Sequence, residues 1–476
     1  MKSISAYLNE DYKKWGDNPY IHTCENGVFQ AHTFRETIED VWNVSKELCA
    51  QGFAGKNVYL YGENSYEWMV LYLSAMGYVG QCVPVDKEWT AYDVENTLSV
   101  LPAAVFFYSE SKKECVEQLQ EKYPDVTYIC MQQEFRNLAD SGAKRNVELV
   151  GETDLDKTVM ILFTSGTTNV PKAIPLTQAN LFHNWDTLYK RTPMTEADVS
   201  YVMLPLNHVY SGVANFLYSI ISGMQLYLCS DLNKMLPEML AIRPTVVCMV
   251  PLILKRVYGV INDAILDMLR GIRFLYCGGS FTDFEIKEYF IKQGVHLLEA
   301  YGTTETSSVI ALDVLGDENI TSNGVIFENL EVKILDPDEK GVGEILVKGG
   351  SVSKGYLWRN DRNSEFDEQG FYHTGDLGRI DETRHLYLAG RKRRMIITAN
   401  GKNVYVDEIE ALLLENPMIK TAKVYEENYH VTASVVSDLT EKEVWDYVSQ
   451  INQNLPKFKR IHKVYTRQDV LGGRIK

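Results

Sequence analysis

From Val58 to about Glu299, short apolar runs alternate with longer amphipathic ones. VYLYG (58–62) has the length of a strand, YEWMVLYLSAMGY (66–78) the length and period of a helix, and QCVPVD (81–86) returns to strand. AAVFFY, VTYIC, VMILF, VSYVML, QLYLC, TVVCMV and IRFLYC continue the series, with segments of helical length between them. Alternation on this scale predicts an α/β fold with largely parallel sheets. The strands are too many for one comfortable sheet, so two α/β subdomains are expected.

After Thr306 the pattern changes. VKILDPD, GEILVKG and GRIDETRHLYLAG read as short strands joined by turn residues, which predicts a small β subdomain built as a distorted barrel. From about Arg393 a compact α+β tail follows: VDEIEALLLEN as a helix, IKTAKVYEE and YHVTASVVS as a hairpin pair, and TEKEVWDYVSQINQ as a second helix. The charged turn GRKRR (390–394) is the expected boundary, dividing a large domain (1–391) from a small one (392–476).

Charge and cysteine usage narrow the function. The net charge of −16, from 64 acidic against 48 basic residues, argues against a general nucleic-acid binder or a protein that docks on anionic membranes. The 8 cysteines form no C-x-x-C pair and sit at no zinc-finger spacing, so free thiols in a reducing compartment are expected. The N-terminus lacks the apolar segment of a signal peptide, and no apolar run reaches membrane-spanning length. A cytoplasmic protein is the expectation.

Chemistry is concentrated in segments that follow apolar strands. TSGTTNVPK (164–172) reads as a strand running into a hydroxyl-rich loop that ends in Lys172, which suits a polyphosphate. It is not the Walker loop, because Pro171 precedes the lysine and Ala173 follows it. A Ser/Thr/Gly turn between two elements would read the same way. Cys277-Gly278-Gly279-Ser280 follows the strand IRFLY, and its glycines would let a planar ring approach the backbone; a plain strand-to-helix turn explains them equally. Tyr301-Gly302-Thr303-Thr304-Glu305 offers an aromatic face, a hydroxyl and a carboxylate, or else a polar turn capping a helix. His373-Thr374-Gly375-Asp376 places a carboxylate after a glycine turn, where it can accept both hydroxyls of a ribose.

In this order, and followed by GRKRRMIITANGKNVYVDEIE, these motifs closely resemble the adenylate-forming superfamily: acyl- and aryl-CoA ligases, luciferase, and the adenylation domains of peptide synthetases. The resemblance runs from the GENSYEW region (62–68) to the last residues, and is nearest to the acyl-acid ligases. It implies ATP-driven activation of a carboxylic acid to an acyl-AMP with Mg²⁺, then transfer to the thiol of coenzyme A or of a carrier protein's phosphopantetheine. By resemblance, Thr164, Ser165, Gly166, Thr167, Thr168 and Lys172 hold the β- and γ-phosphates. Gly278, Gly279, Ser280 and Tyr301 enclose the adenine, and Gly302 and Thr303 complete that nucleotide loop. Thr304 touches the α-phosphate, Glu305 binds Mg²⁺, and Asp376 with Arg391 takes the ribose. Arg393 stands at the hinge about which the family swings its small domain, presenting the loop around Asn400 for the second step.

Several positions depart from the family pattern. Asn169 and Ala173 stand where glycine is usual, and Ala173 is compatible only with a negative φ. Val406 replaces a frequent proline. The chain ends Gly472-Gly473-Arg474-Ile475-Lys476, so Arg474 aligns with the family's catalytic lysine and Lys476 is the nearest lysine to it. Arginine and lysine are not equivalent at a close-fitting contact, which leaves a degenerate, weakly catalytic member as the alternative. In the acyl region (203–223) Val209 stands where amino-acid-activating members have aspartate, beside His208, and no acidic residue occurs between Asp198 and Asp231. An apolar fatty or aryl acid is expected rather than an amino acid, in a pocket formed by His208, Val209, Val213 and Gly302. Val213, Phe216 and Leu217 also have helical spacing and read equally well as core.

Overall fold

The computed structural model describes the chain except residues 165–170, 281, 318, 358–364, 392–394, 398–402, 428–429 and 468–476. The α/β expectation holds. Among the described residues, one sheet has six strands in the order Thr127–Cys130, Val105–Tyr108, Asn57–Tyr61, Gln81–Val85, Thr158–Thr164 and Lys172–Thr177. Its pairs are parallel up to Thr158–Thr164, and the last strand returns antiparallel. A second sheet of nine strands centres on the parallel run Leu297–Tyr301, Phe274–Gly278, Val246–Met249, Val199–Val202 and Gln225–Leu228.

The segment YEWMVLYLSAMGY forms the helix Tyr66–Ser74, capped by Ser65, and continues as a π-helical turn, Ala75–Val79. Nearly every side chain of that helix is buried, as expected of an apolar helix enclosed in a core rather than lying on a surface. One large apolar core joins residues of both sheets, and a smaller one covers the outer face of the six-stranded sheet. The first 57 residues carry elements that the alternation did not reveal. The hairpin Pro19–Glu25 and Val28–Thr33 extends the nine-stranded sheet by pairing in parallel with Gln225–Leu228. The chain therefore starts in the second sheet before it builds the first.

Leu330–Leu335, Gly343–Gly349, Tyr372–Ile380 and Leu386–Arg391 form an antiparallel meander where a small barrel was expected. The described pairings run in one row and do not close from the last strand to the first. The tail follows its pattern: the helix Val406–Leu414, the hairpin Ile419–Glu427 with His430–Ser437, and the helix Glu441–Gln453, started by a Thr440–Glu443 capping box. A strand unread in the sequence, Ile461–Arg467, joins the hairpin in parallel. A third apolar core holds only residues from Ile396 onward. All eight cysteines are free, four of them buried, and no helix among the described residues is long and apolar enough to cross a membrane.

Candidate functional site

The candidate residues gather where parallel strands end, the usual ligand edge of an α/β sheet. Phe274–Gly278 and Leu297–Tyr301 are neighbours, with Gly278 opposite Ala300, so the two motifs that follow them emerge side by side. Backbone geometry demands the glycines. A Cβ on Gly278 would stand 2.8 Å from the Ala300 carbonyl oxygen, and one on Gly302 would stand 1.6 Å from that of Ser308. Gly279 has φ +82°, a conformation that favours glycine. The turn Thr304–Thr306 is closed by Thr306, whose hydroxyl accepts from the Thr303 N–H at 3.2 Å. The polar-turn reading of this motif is thus realised by Thr306, and Glu305 takes no part in the cap.

Just beyond it, Ser307 and Ser308 adopt φ of +58° and +116° without being glycine. Both are buried, and the Ser307 hydroxyl donates to the Ser351 carbonyl at 2.8 Å. Non-glycine residues in this region cost about 1–3 kcal/mol each and cluster at functional sites. Nothing in the sequence marks these two serines.

Asp376 and Arg391 face each other across two antiparallel strands. The Arg391 Nε lies 2.7 Å from one carboxylate oxygen, and the Tyr301 hydroxyl donates to the other at 2.7 Å. Asp376 is 4% exposed, and burial pushes its carboxyl above the ordinary range, with Arg391 and Tyr301 opposing the rise. Burial and then Asp376 drive the Tyr301 phenol far above its usual value. Gly375, at φ +72°, turns the strand, and the Thr374 hydroxyl accepts the Asp376 N–H at 3.0 Å. The strands Leu297–Tyr301 and Tyr372–Ile380 are therefore linked directly.

Lys172 is joined to Glu305 through Tyr356 and is paired with Glu365, two residues that no motif singled out. Lys172 heads its strand opposite Thr164. Its ammonium pairs with Glu365 at 2.5 Å and lies 4.7 Å from the ring centroid of Tyr356. The Tyr356 hydroxyl donates to Glu305 at 2.9 Å, and Glu305 is 8% exposed. Ala173 sits within the strand, away from the positive-φ residues, so replacing glycine there costs nothing in backbone conformation. Ser165, Gly166, Thr167, Thr168, Asn169, Arg393, Arg474 and Lys476 lie outside the described residues.

His208 is half exposed, and its Nε2 lies 3.8 Å from Asp86 at the end of the strand Gln81–Val85. The pair bridges the two sheets, a contact the sequence could not reveal. Val209 is half buried, whereas Val213, Phe216 and Leu217 are fully buried in the core. Packing thus supports the core alternative for Val213. That residue lies in a π-helical turn, Gly212–Leu217, and its carbonyl accepts the Trp185 indole N–H at 3.0 Å. Such turns loosen the regular ladder and recur at functional sites. Ser280 and Thr304 border the site with their side chains partly exposed.

This donor set fits a magnesium nucleotide. A cation, a nearly buried carboxylate and an Arg-supported carboxylate line one edge, and no cluster of three metal-ligating side chains occurs among the described residues. Mg²⁺ needs no protein cage, because it is commonly held by one or two carboxylates together with substrate phosphates and water.

A family model described as AMP-binding enzyme matches residues 8–357. The chain belongs to that family. The long-chain-fatty-acid–CoA ligase FadD15 of Mycobacterium bovis is 26% identical to it, over 89% of this chain and 80% of that protein. The 2-succinylbenzoate–CoA ligase of Bacillus pumilus is 28% identical, over 82% and 79%. The solved structure of o-succinylbenzoate CoA synthetase (MenE) from Bacillus subtilis superimposes with a TM-score of 0.82, at 24% identity, over 97% of this chain and 94% of that one. That likeness carries the fold across nearly the whole length, including the meander and tail beyond the family model.

Proposed function

We propose that this protein is an ATP-dependent, AMP-forming ligase that adenylates an apolar fatty or aryl acid and passes the acyl group to a thiol. The observation that carries the reading is the convergence of Lys172, Glu305, Tyr301, Asp376 and Arg391 on one strand-end edge, from elements widely separated in the sequence. Coenzyme A is the favoured acceptor, because the curated relatives described above are CoA ligases by name. A carrier-protein phosphopantetheine is the alternative acceptor. The eight free cysteines suit a reducing, cytoplasmic setting.

The chemistry asks mainly for positioning and charge stabilisation. A free carboxylic acid, with a pKa of about 4, is already ionised at neutral pH and needs no base. One of its oxygens attacks the α-phosphorus, and the bond to the pyrophosphate oxygen breaks. In the second step the thiol sulfur bonds to the acyl carbon, its proton leaves, and AMP departs. In this assignment Tyr301 presents its ring to the base, since its hydroxyl is committed to Asp376. Asp376, steadied by Arg391, accepts the ribose hydroxyls, and Thr304 meets the α-phosphate. Lys172 and the loop 164–168 hold the β- and γ-phosphates. Glu305 would hold Mg²⁺, which supplies charge neutralisation on the phosphates when bound. Lys476 or Arg474 supplies the cation at the reacting carboxylate, and rotation of 392–476 about Arg393 exchanges that cation for a thiol channel. His208 and Val209 border the acid. Asp198, the nearest preceding carboxylate, is already paired with Arg273 and Thr245, so it offers no anchor for a substrate amine.

The test is acid-dependent ATP–pyrophosphate exchange with fatty acids of several lengths, aryl acids and amino acids. Exchange with one apolar class is expected, followed by AMP release on adding coenzyme A. Exchange driven only by amino acids would overturn the substrate assignment, and no exchange with any acid would overturn the ligase reading.

A further inference from the structure

Tyr356 joins the two charged groups assigned above to the polyphosphate end. Its hydroxyl donates to Glu305 Oε1 at 2.9 Å, and its ring lies 4.7 Å from the Lys172 ammonium. It is buried, and its hydroxyl is the donor in the contact with Glu305. The Phe366 ring packs against it edge-on at 5.6 Å. The segment carrying it is stitched to both motifs: the Ser353 N–H donates to the Glu305 carbonyl at 2.7 Å, and the Leu357 N–H to the Ala173 carbonyl at 3.0 Å. This ring is fixed from several sides, between a cation and a carboxylate.

We propose that Tyr356 is a positioning residue for the nucleotide's polyphosphate end: its hydroxyl orients Glu305 as a ligand for a divalent cation, and its ring supports the Lys172 ammonium for the phosphates. The proposal rests on the ATP-ligase reading. A hydroxyl bonded to one carboxylate oxygen fixes that group and leaves the other oxygen for a cation, and outer-shell partners of this kind typically change metal affinity or activity by about 10–100-fold. A ring face stabilises an ammonium more weakly than a carboxylate does, so it holds Lys172 in place without retaining it against a phosphate.

The experiment is calorimetric binding of ATP and of AMP over a range of Mg²⁺ concentrations, with wild type, Tyr356→Phe and Tyr356→Leu. For Tyr356→Phe, the Mg²⁺ concentration giving half of the gain in ATP affinity should rise about tenfold, while AMP affinity stays at the wild-type value. Tyr356→Leu should additionally weaken ATP binding without Mg²⁺, because Lys172 loses its support. Unchanged Mg²⁺ dependence in Tyr356→Phe would overturn the proposal alone, provided the wild type binds both nucleotides. So would an equal loss of ATP and AMP affinity, which marks a merely structural role. A wild type that binds neither nucleotide would overturn the ligase reading and this proposal with it.

Discussion

Each charge at this site is held by a neighbour in the free protein. Lys172, legible in the sequence as the end of a phosphate-suited loop, is paired with Glu365, which belongs to no motif and lies 193 positions further on. No periodicity signals such a partner, because only the fold brings the two together. The pairing has a consequence for binding. A triphosphate must compete with the Glu365 carboxylate for the ammonium, in a partly buried setting where solvent screens little. Glu365→Gln removes both the competition and the like-charge repulsion. It should tighten ATP binding about tenfold or more, from the net value of a hydrogen bond to a charged group, about 1.5–3 kcal/mol, and leave AMP binding unchanged. Calorimetry with the two nucleotides checks this, and equal tightening of both would rule it out. His208 and Asp86 teach the same lesson: the histidine was readable as a pocket residue, but its carboxylate partner on the other sheet was not.

Among elements, the parallel strands from Asn57 to Tyr301 were legible because buried parallel strands are continuous apolar runs, bounded by helices of a different period, whereas the antiparallel Lys172–Thr177 was not read. The N-terminal hairpin was not, since the exposed polar strand Val28–Thr33 at a sheet edge carries little pattern. The first helix, Ile4–Lys14, shows a subtler conflict. Its buried stripe includes Ile4, Leu8 and Asp11, with an acid at the third position of an apolar period. Asp11 is 3% exposed, one of its oxygens has no hydrogen-bond partner, and burial pushes its carboxyl up to about 8. The folded state therefore binds this proton more tightly than the unfolded state does. Its stabilising effect is complete below pH of about 4 and is lost as pH rises toward 8. Asp11→Asn should match wild-type stability near pH 4 and exceed it by about 5 kcal/mol at pH 8 to 9. Denaturant titrations at both pH values decide it, and a difference independent of pH would refute the buried-acid account.

For the whole molecule, the apolar cores mark where the chain divides. The cores of the two large sheets draw on residues no later than Leu386, and the third core begins at Ile396. Burial raises the Asp93 carboxyl above its ordinary range, and Lys459 of the tail is near enough to oppose that rise. The described groups assigned to base, ribose, phosphate and cation all precede residue 392, and the terminal cation, Arg474 or Lys476, follows it. A chain ending at Arg391 should consequently fold on its own and bind AMP with near wild-type affinity. It should lose acid-dependent pyrophosphate exchange by about 100-fold or more, the cost of deleting a charge-stabilising group from a transition state. Calorimetric melting tests the first expectation, AMP titration the second and isotope exchange the third. Loss of AMP binding in a folded fragment would mean that the tail builds part of the nucleotide site. Retained exchange would remove both Arg474 and Lys476 from the chemistry and return it to the groups that meet at the strand ends.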